Sequence, residues 1–452
     1  MRVLILIALL SLPASAQLEA DARRFLVDLV KLDTSNPAGN ETKVAEYLAK
    51  VAKDNGIEAE LLGGDPARLN FVARLRGSGK SRPLLLMAHS DVVPVDPKQW
   101  TVAAFGGEIR DGYVYGRGAV DDKGLLAAEL AVLVDLKRRG VKLDRDIILL
   151  SEADEEAGST GMGWLVANAY AKIDAEFAIN EGGGGMMVGE TTVFQVQTAE
   201  KIPTRMTLTA RGTAGHGSLP RADNPVLHLA EAIAKLARAE QPVRMNTTTR
   251  RYFAQMMTLP QYSWLGGYVG KLENEATAAE AAAHIAARDG ELNAMLRTSV
   301  SPTMLTAGMK NNVIPNVAEA VLDVRRLPTE TRQEILARFK KIVNDPAVEV
   351  ISAAGQEMPA TEPSALTTQL YRSIEKVLGA GAKSKVIPYM SRGATDSSFL
   401  RQKGMAVYGA PIFLRDGNES RAHGNDERLG LENLARGTGL LMKIVLDVAA
   451  AK

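Results

Sequence analysis

Histidine and carboxylate residues recur along this chain at spacings that suit metal-assisted hydrolysis. The first group is His89-Ser90-Asp91-Val92-Val93-Pro94, at the end of an apolar run. Two apart on extended chain, His89 and Asp91 point to one side. Asp91 can then reach the distal ring nitrogen of His89 and fix its tautomer, as carboxylates do for metal-bound imidazoles. A pair that only caps a strand end would look the same. The second group is Gly116-Arg117-Gly118-Ala119-Val120-Asp121-Asp122-Lys123-Gly124. Its glycines permit close backbone approach, and its two Asp offer a helix N-cap, a metal ligand, or one of each. The third is Asp154-Glu155-Glu156-Ala157-Gly158. Adjacent carboxylates usually form a solvated turn; packed together they repel unless cations neutralise them. Glu181, followed by four glycines, and His423, in Ser420-Arg421-Ala422-His423-Gly424-Asn425-Asp426-Glu427, complete the set.

In chain order, His89, Asp121, Glu156, Glu181 and His423 supply two imidazoles and three carboxylates. With Asp121 as a bridge, each of two metals receives one His, the shared Asp and one further carboxylate, leaving positions for water. Two divalent ions are therefore expected. Zn2+ suits these N/O ligands best, and Co2+ or Mn2+ also fits on affinity order.

Composition narrows the alternatives. The chain has 452 residues, 54 Lys+Arg, 53 Asp+Glu, five His and no Cys. That length suits about two or three domains. A net charge of +1 gives no electrostatic case for a nucleic-acid partner. Without Cys there are no disulfides, thiolate nucleophiles or Cys-based zinc sites. Arg2, the apolar stretch 3–12 and Ala14-Ser15-Ala16 read as a signal peptide over residues 1–16. The expectation is an exported protein, periplasmic or secreted, with no later segment able to span a membrane.

Helical spacing at 18–31, 42–55 and 123–139, with strand patterns at 70–75, 83–88, 146–150 and 175–179, predicts an α/β domain with a mostly parallel sheet. Ligand sites in such sheets lie beyond the carboxyl ends of the strands, where most of the groups fall. From about residue 202 the order becomes strand-helix-strand-strand-helix-strand (204–211, 224–237, 303–308, 317–325, 329–343, 347–352), a ferredoxin-like α+β pattern. Residues 240–301 are an insertion after its first helix, with an Ala-rich helix at 276–287 and no assigned chemistry. A closing helix is expected at 431–449. The expected domains are a catalytic metal-binding domain, 17–201 with 359–452, and a smaller domain, 202–358, inserted into it.

With these motifs in this order, the sequence resembles the dizinc amidohydrolase and metallopeptidase family of aminoacylase-1, acetylornithine deacetylase, succinyl-diaminopimelate desuccinylase and the glutamate and Gly-X carboxypeptidases. The resemblance covers essentially the whole mature chain and rests on HSDVVP, GRGAVDDKG and DEEAGS. It implies a zinc-peptidase-like catalytic domain and a lid and dimerisation domain. It also implies His89, Asp121, Glu156, Glu181 and His423 as metal ligands, Glu155 as general base, Asp91 as orienter of His89, and a cis peptide between Asp121 and Asp122. Gly215-His216-Gly217-Ser218, followed by Pro220 and Asn224-Pro225, matches a lid loop whose histidine reaches the active site of the other subunit and stabilises the oxyanion. Asn312 and Arg325 match lid positions that hold the substrate carboxylate, a task suited to Arg. Gly393-Ala394-Thr395-Asp396 matches a substrate loop usually written with two glycines, so Ala394 is a departure. His228 and His284 match no motif and read as ordinary helix residues.

The implied function is metal-dependent hydrolysis of an amide bond in a small peptide or N-acyl amino acid with a free carboxylate. It is of the carboxypeptidase or aminoacylase type, performed by a homodimer, with water activated by two metals and Glu155. The stretch from Pro94 to Gly112 and the element Asn180-Glu181-Gly182-Gly183 resemble most the exported or vacuolar Gly-X carboxypeptidases and N-acyl-amino-acid hydrolases. A dipeptidase, or a deacylase for another acyl group, is the alternative within the class. A non-catalytic periplasmic binding module on the same fold would lack a ligand or the base, and none is missing.

Overall fold

The computed structural model describes residues 14–352, 358–417 and 421–451. Residues 1–13 of the expected signal peptide lie outside them, and its last three residues open the helix Ala14–Val30. Among the described residues, no helix is long and apolar enough to cross a membrane.

Contacts divide the chain into two compact units, 1–187 with 367–385 and 410–452, and 188–366 with 386–409. The sequence division at 201/202 and 358/359 falls elsewhere. Strand Thr191–Glu200 coheres with the second unit because strand Ala406–Gly409 pairs with it. The inserted segment also packs on it, with the Thr198 and Thr248 hydroxyls 2.7 Å apart.

In the first unit, strand Leu84–His89 lies between Ile147–Glu152 and Phe177–Asn180 and runs parallel to both. Strands Leu84–His89 and Ile147–Glu152 are buried along their whole length. A continuous apolar run is what a parallel strand covered on both faces requires. Strands Asn70–Leu75 and Glu58–Leu62 extend the sheet with antiparallel pairing. Helix Lys123–Arg138, almost entirely buried, packs on strand Leu84–His89 and against helices Ala14–Val30 and Leu431–Ala449. Register aligns His89 with Glu152, so the segments after these two strands leave the sheet at the same edge. A small antiparallel sheet of Glu108–Arg110, Tyr113–Tyr115 and Arg428–Gly430 sets the late His423 segment beside the 116–124 loop.

The second unit contains the expected ferredoxin-like arrangement. Strands Ser299–Ala307, Val317–Arg326, Ile202–Arg211 and Val348–Ser352 form an antiparallel sheet in that order. Met206, Leu208 and Ala210 share one core with Leu229 and Leu236 of helix Pro225–Arg238 and with Ile335 and Phe339 of helix Arg332–Val343. The latter helix opens with a capping box of Thr331 and Glu334, which satisfies backbone donors at both residues. In the insertion, Asn274 caps helix Glu275–Ala286, close to where alanine propensity placed it.

Candidate metal centre

Three parallel strands deliver their carboxyl ends to one place in the first unit. His89 ends its strand, Glu155 and Glu156 follow Ile147–Glu152, and Glu181 follows Phe177–Asn180. Asp121 precedes helix Lys123–Arg138, and its peptide bond to Asp122 is cis. Asp122 stands at the N-cap position but makes no side-chain cap hydrogen bond, so capping does not explain the Asp pair.

The carboxylate of Asp121 faces an imidazole with each oxygen. Oδ1 lies 2.9 Å from Nε2 of His89, and Oδ2 lies 3.3 Å from Nε2 of His423. Glu156 lies 2.7 Å from the same His423 nitrogen, and Glu181 lies 4.0 Å from Nε2 of His89. Donor atoms of His89, Asp121 and Glu156, and of His89, Glu155 and Glu181, fall within 4.8 Å of one another. The pairwise distances set Asp121 and Glu181 by His89, and Asp121 and Glu156 by His423, with Glu156 also within reach of His89.

Electrostatics favour positive charge at this cluster. Burial alone would raise the Asp121 carboxyl, but hydrogen bonds to His423 and His89 hold it well below the usual range. His89 is raised well above an ordinary imidazole, since its bonds to Asp121 and Asp91 outweigh the opposing effect of burial. His423 is pushed up to about 10 by hydrogen bonds to Asp121 and Glu156. Carboxylates crowded this closely need cations to remain ionised together. A set of two imidazoles and carboxylate oxygens at these separations fits a pair of divalent ions.

Asp91 supports the cluster through more than its expected contact with His89. Nδ1 of His89 lies 3.0 Å from the main-chain carbonyl of Asp91 and 3.5 Å from its carboxylate. The carboxylate also accepts the backbone N–H groups of Glu155 and Glu156, both at 3.0 Å, and the Asn36 amide at 2.7 Å. Asn36 in turn accepts from Arg68, which pairs with Glu41 and with Asp154 at 2.7 Å. Asp154, the first acid of the DEE turn, is therefore structural, and its φ of 69° marks a tight turn. Sequence reasoning missed Asn36 and Arg68. Their only local signal is the Asn36-Pro37 dipeptide, whose bond is cis.

The second unit holds the remaining expected residues. His216 is exposed on a two-stranded ribbon opposite Val313. Its Nδ1 accepts the Ser218 N–H at 3.2 Å and lies 2.7 Å from the Ser218 hydroxyl. A neutral imidazole with an accepting Nδ1 carries its proton on Nε2. Asn312 sits beside it, its carbonyl accepting the Gly217 N–H at 2.8 Å. A Cβ on Gly217 would lie 3.1 to 3.3 Å from Asn312 backbone atoms, which accounts for glycine there. Arg325 is not near this pair. The ribbon lies beyond the Val317 end of strand Val317–Arg326, whereas Arg325 lies eight residues along it, paired with Asp323 at 2.8 Å. That is about 25 Å of extended chain. Within one chain, therefore, Asn312 and Arg325 do not converge. The Thr395 hydroxyl donates to buried Glu200 at 2.7 Å, and Glu200 also pairs with Arg401 at 3.0 Å. The Gly393 N–H donates to the Ser391 hydroxyl at 3.1 Å, and Ala394 is half-buried beside it. His228 bonds Asp345 at 2.7 Å and His284 stacks on Tyr268, roles that need no ligand.

The family model for peptidase family M20/M25/M40 matches residues 85–447. The chain is 30% identical over 432 residues to the N-fatty-acyl-amino acid synthase/hydrolase PM20D1 of Homo sapiens, covering 91% of this chain and 84% of that protein. It is 28% identical over 419 residues to a probable succinyl-diaminopimelate desuccinylase of Staphylococcus aureus (strain MRSA252), covering 90% and 93%. A solved structure of an M20 family metallo-carboxypeptidase from Sulfolobus solfataricus shares the fold with a TM-score of 0.72 at 23% identity, over 95% of this chain and 99% of that one. From this coverage and the convergence of two histidines and three carboxylates at the strand ends, the chain belongs to peptidase family M20/M25/M40.

Proposed function

We propose that this chain hydrolyses the amide bond of N-acyl amino acids or small peptides that carry a free carboxylate. The observation that carries the reading is Asp121, whose two oxygens each face a different histidine. His89, Asp121 and Glu181 would hold one divalent ion and His423, Asp121 and Glu156 the other, with Zn2+ the first choice for N/O donors. When bound, such ions lower the pKa of water toward neutrality and polarise the amide carbonyl.

The protein groups then have distinct tasks. Glu155 accepts the proton of the attacking water as the C–O bond forms and the carbonyl opens to an oxyanion, and then returns it to the leaving nitrogen as the carbonyl re-forms and the C–N bond breaks. Its backbone is fixed by Asp91, and its carboxylate lies among the His89 and Glu181 donors. His216 offers an Nε2–H to the developing oxyanion. Arg325 supplies the cation for the substrate carboxylate, in exchange for Asp323. A cavity of about 240 Å³ in the first unit borders Asp121 and Glu181, with Leu125, Ile412, Phe413 and Leu429 in its walls. Its mostly apolar lining suits a hydrocarbon acyl group or side chain.

The reading includes a homodimer. Strand Ser299–Ala307 is one of the two edges of its sheet, and Met304 and Leu305 are exposed on it. Unpaired edges invite pairing with another chain, and a second copy there supports His216 acting across subunits. Export is the accompanying proposal, tested by N-terminal sequencing of secreted material for a start near Gln17. The central test is Glu155→Gln. It should keep its metal and lose about 10²–10⁴-fold in rate, the usual worth of a general base. Near-parental turnover of N-acyl amino acids by that variant would sink the assignment.

A further inference from the structure

One buried ion pair supports the metal-binding loops without facing the substrate. Glu427 is fully buried, four residues after His423. Its Oε1 accepts the N–H groups of Val120 at 2.8 Å and Asp121 at 3.1 Å. Its Oε2 accepts the Gly118 N–H at 3.0 Å and Nη1 of Arg117 at 2.7 Å. Those four bonds fill the roughly four acceptor sites of a carboxylate. Arg117 is 3% exposed and also donates to the carbonyls of Gly424 at 3.0 Å and His423 at 3.4 Å. Its guanidinium lies 5.3 Å from the centre of the Trp100 ring.

The pair therefore grips two stretches of backbone at once. One presents Asp121 and the other presents His423. The His423 turn needs such support, because His423 and Asp426 adopt left-handed φ values of 62° and 50°, which non-glycine residues adopt only where surroundings enforce them. His89 and Glu181, by contrast, are carried on or directly after core strands and do not depend on this grip.

We propose that Arg117 and Glu427 are positioning residues that fix the separation of Asp121 and His423, and thereby the affinity of the site formed by His423, Asp121 and Glu156 for its cation. The proposal rests on the metal-centre reading above. It differs from a purely structural role, because a buried ion pair can often be replaced by uncharged groups without loss of stability, whereas the backbone grip cannot.

The test is calorimetric zinc titration of metal-depleted protein, with the absorption spectrum of the cobalt form as a second readout of ligand geometry. In Glu427→Gln the side-chain NH2 must face backbone donors or Arg117. One of the two dissociation constants should rise about 10–100-fold, the usual effect of losing a group that supports a ligand, while the other, which shares Asp121 but keeps His89 and Glu181 on or directly after their core strands, rises less. Pairing Glu427→Gln with Arg117→Gln removes both charges. Melting of the metal-free double variant should return toward the parent, while the raised dissociation constant and altered cobalt spectrum persist. If Glu427→Gln fails to fold, Arg117→Lys replaces it: a lysine keeps the charge but cannot span Glu427 and both carbonyls, so a smaller shift in the same direction is expected. A folded variant with parental zinc affinity and cobalt spectrum overturns the proposal. Failure of the unaltered protein to bind a second cation overturns the metal-centre reading first and this inference with it, and is visible before any substitution is made.

Discussion

Replacing Asp91 by asparagine separates two accounts of the DEE turn. The two side chains have the same shape, but only the carboxylate accepts at both oxygens. In the parent, one oxygen takes the Glu155 N–H and the other takes the Glu156 N–H and the Asn36 amide. In the better orientation of the introduced amide, its oxygen keeps Glu156 and Asn36, and its NH2 group faces the Glu155 N–H. Rotating Asn36 to compensate would break its bond from Arg68 at 2.8 Å. The cost is one charge-assisted bond, about 1.5–3 kcal/mol, plus a buried donor without an acceptor, about 1–3 kcal/mol. A total of roughly 3–6 kcal/mol should lower the melting temperature of metal-free protein of this length by about 3–6 °C. Turnover should fall as well, since the disturbed backbone carries Glu155. The alternative is that Asp91 acts mainly by orienting His89. In that case melting of the metal-free form would barely change and zinc affinity would drop about 10–100-fold. Because the nearer acceptor for Nδ1 of His89 is the Asp91 main-chain carbonyl, which the substitution leaves in place, zinc affinity should fall by less than about tenfold. Scanning calorimetry of the metal-free protein and zinc titration decide the matter. Unchanged melting with strongly weakened zinc binding would refute the assignment of the carboxylate to the turn.

Three further outcomes follow from other parts of the molecule. Gly124→Ala would place a Cβ 2.4 Å from the main-chain oxygen of Ala119, so the 119–124 turn must open and shift Asp121; weakened zinc binding is expected, and a variant that binds zinc like the parent removes the steric reason for this glycine. His228 is raised by its hydrogen bond to Asp345, whose own carboxyl is lowered by the same bond. The pair's stabilisation is therefore complete below the unfolded imidazole value, about 6.5, and fades as pH rises through the raised folded value. The bond is partly exposed, so His228→Gln should melt no more than about 1 °C below the parent at pH 6, and that gap should close in alkaline solution. Leu305→Asp, on the exposed edge strand, should give monomers by light scattering, with a large loss of turnover because His216 then has no neighbouring site to serve; full activity in a proven monomer would place His216 within its own chain.

What could be read from the sequence divides by physical cause. The central strands were legible because burial on both faces gives apolar runs, as in residues 84–88 and 147–150, with polar residues only at the carboxyl ends His89, Ser151 and Glu152. Strands of three residues such as Tyr113–Tyr115 and Arg428–Gly430 are too short for any period to show. Four of the five candidate ligands stood out because each sits in a short motif at a strand end or before a helix, whereas His423 lies in a turn ahead of the strand Arg428–Gly430. Asn36, Arg68 and Glu427 did not stand out, since each acts on residues tens to hundreds of positions away, as when Glu427 holds the amide of Asp121. The separation of Asn312 from Arg325 is a different case. An extended segment at 317–325 already implies about 25 Å between its ends, so a strand assigned there places Arg325 far from a residue that precedes the strand. A substrate carboxylate held by both would need Asn312 from one chain and Arg325 from another. That requirement links specificity to the dimer: a Leu305→Asp monomer should lose discrimination between N-acyl amino acids and their amides, and not only its rate.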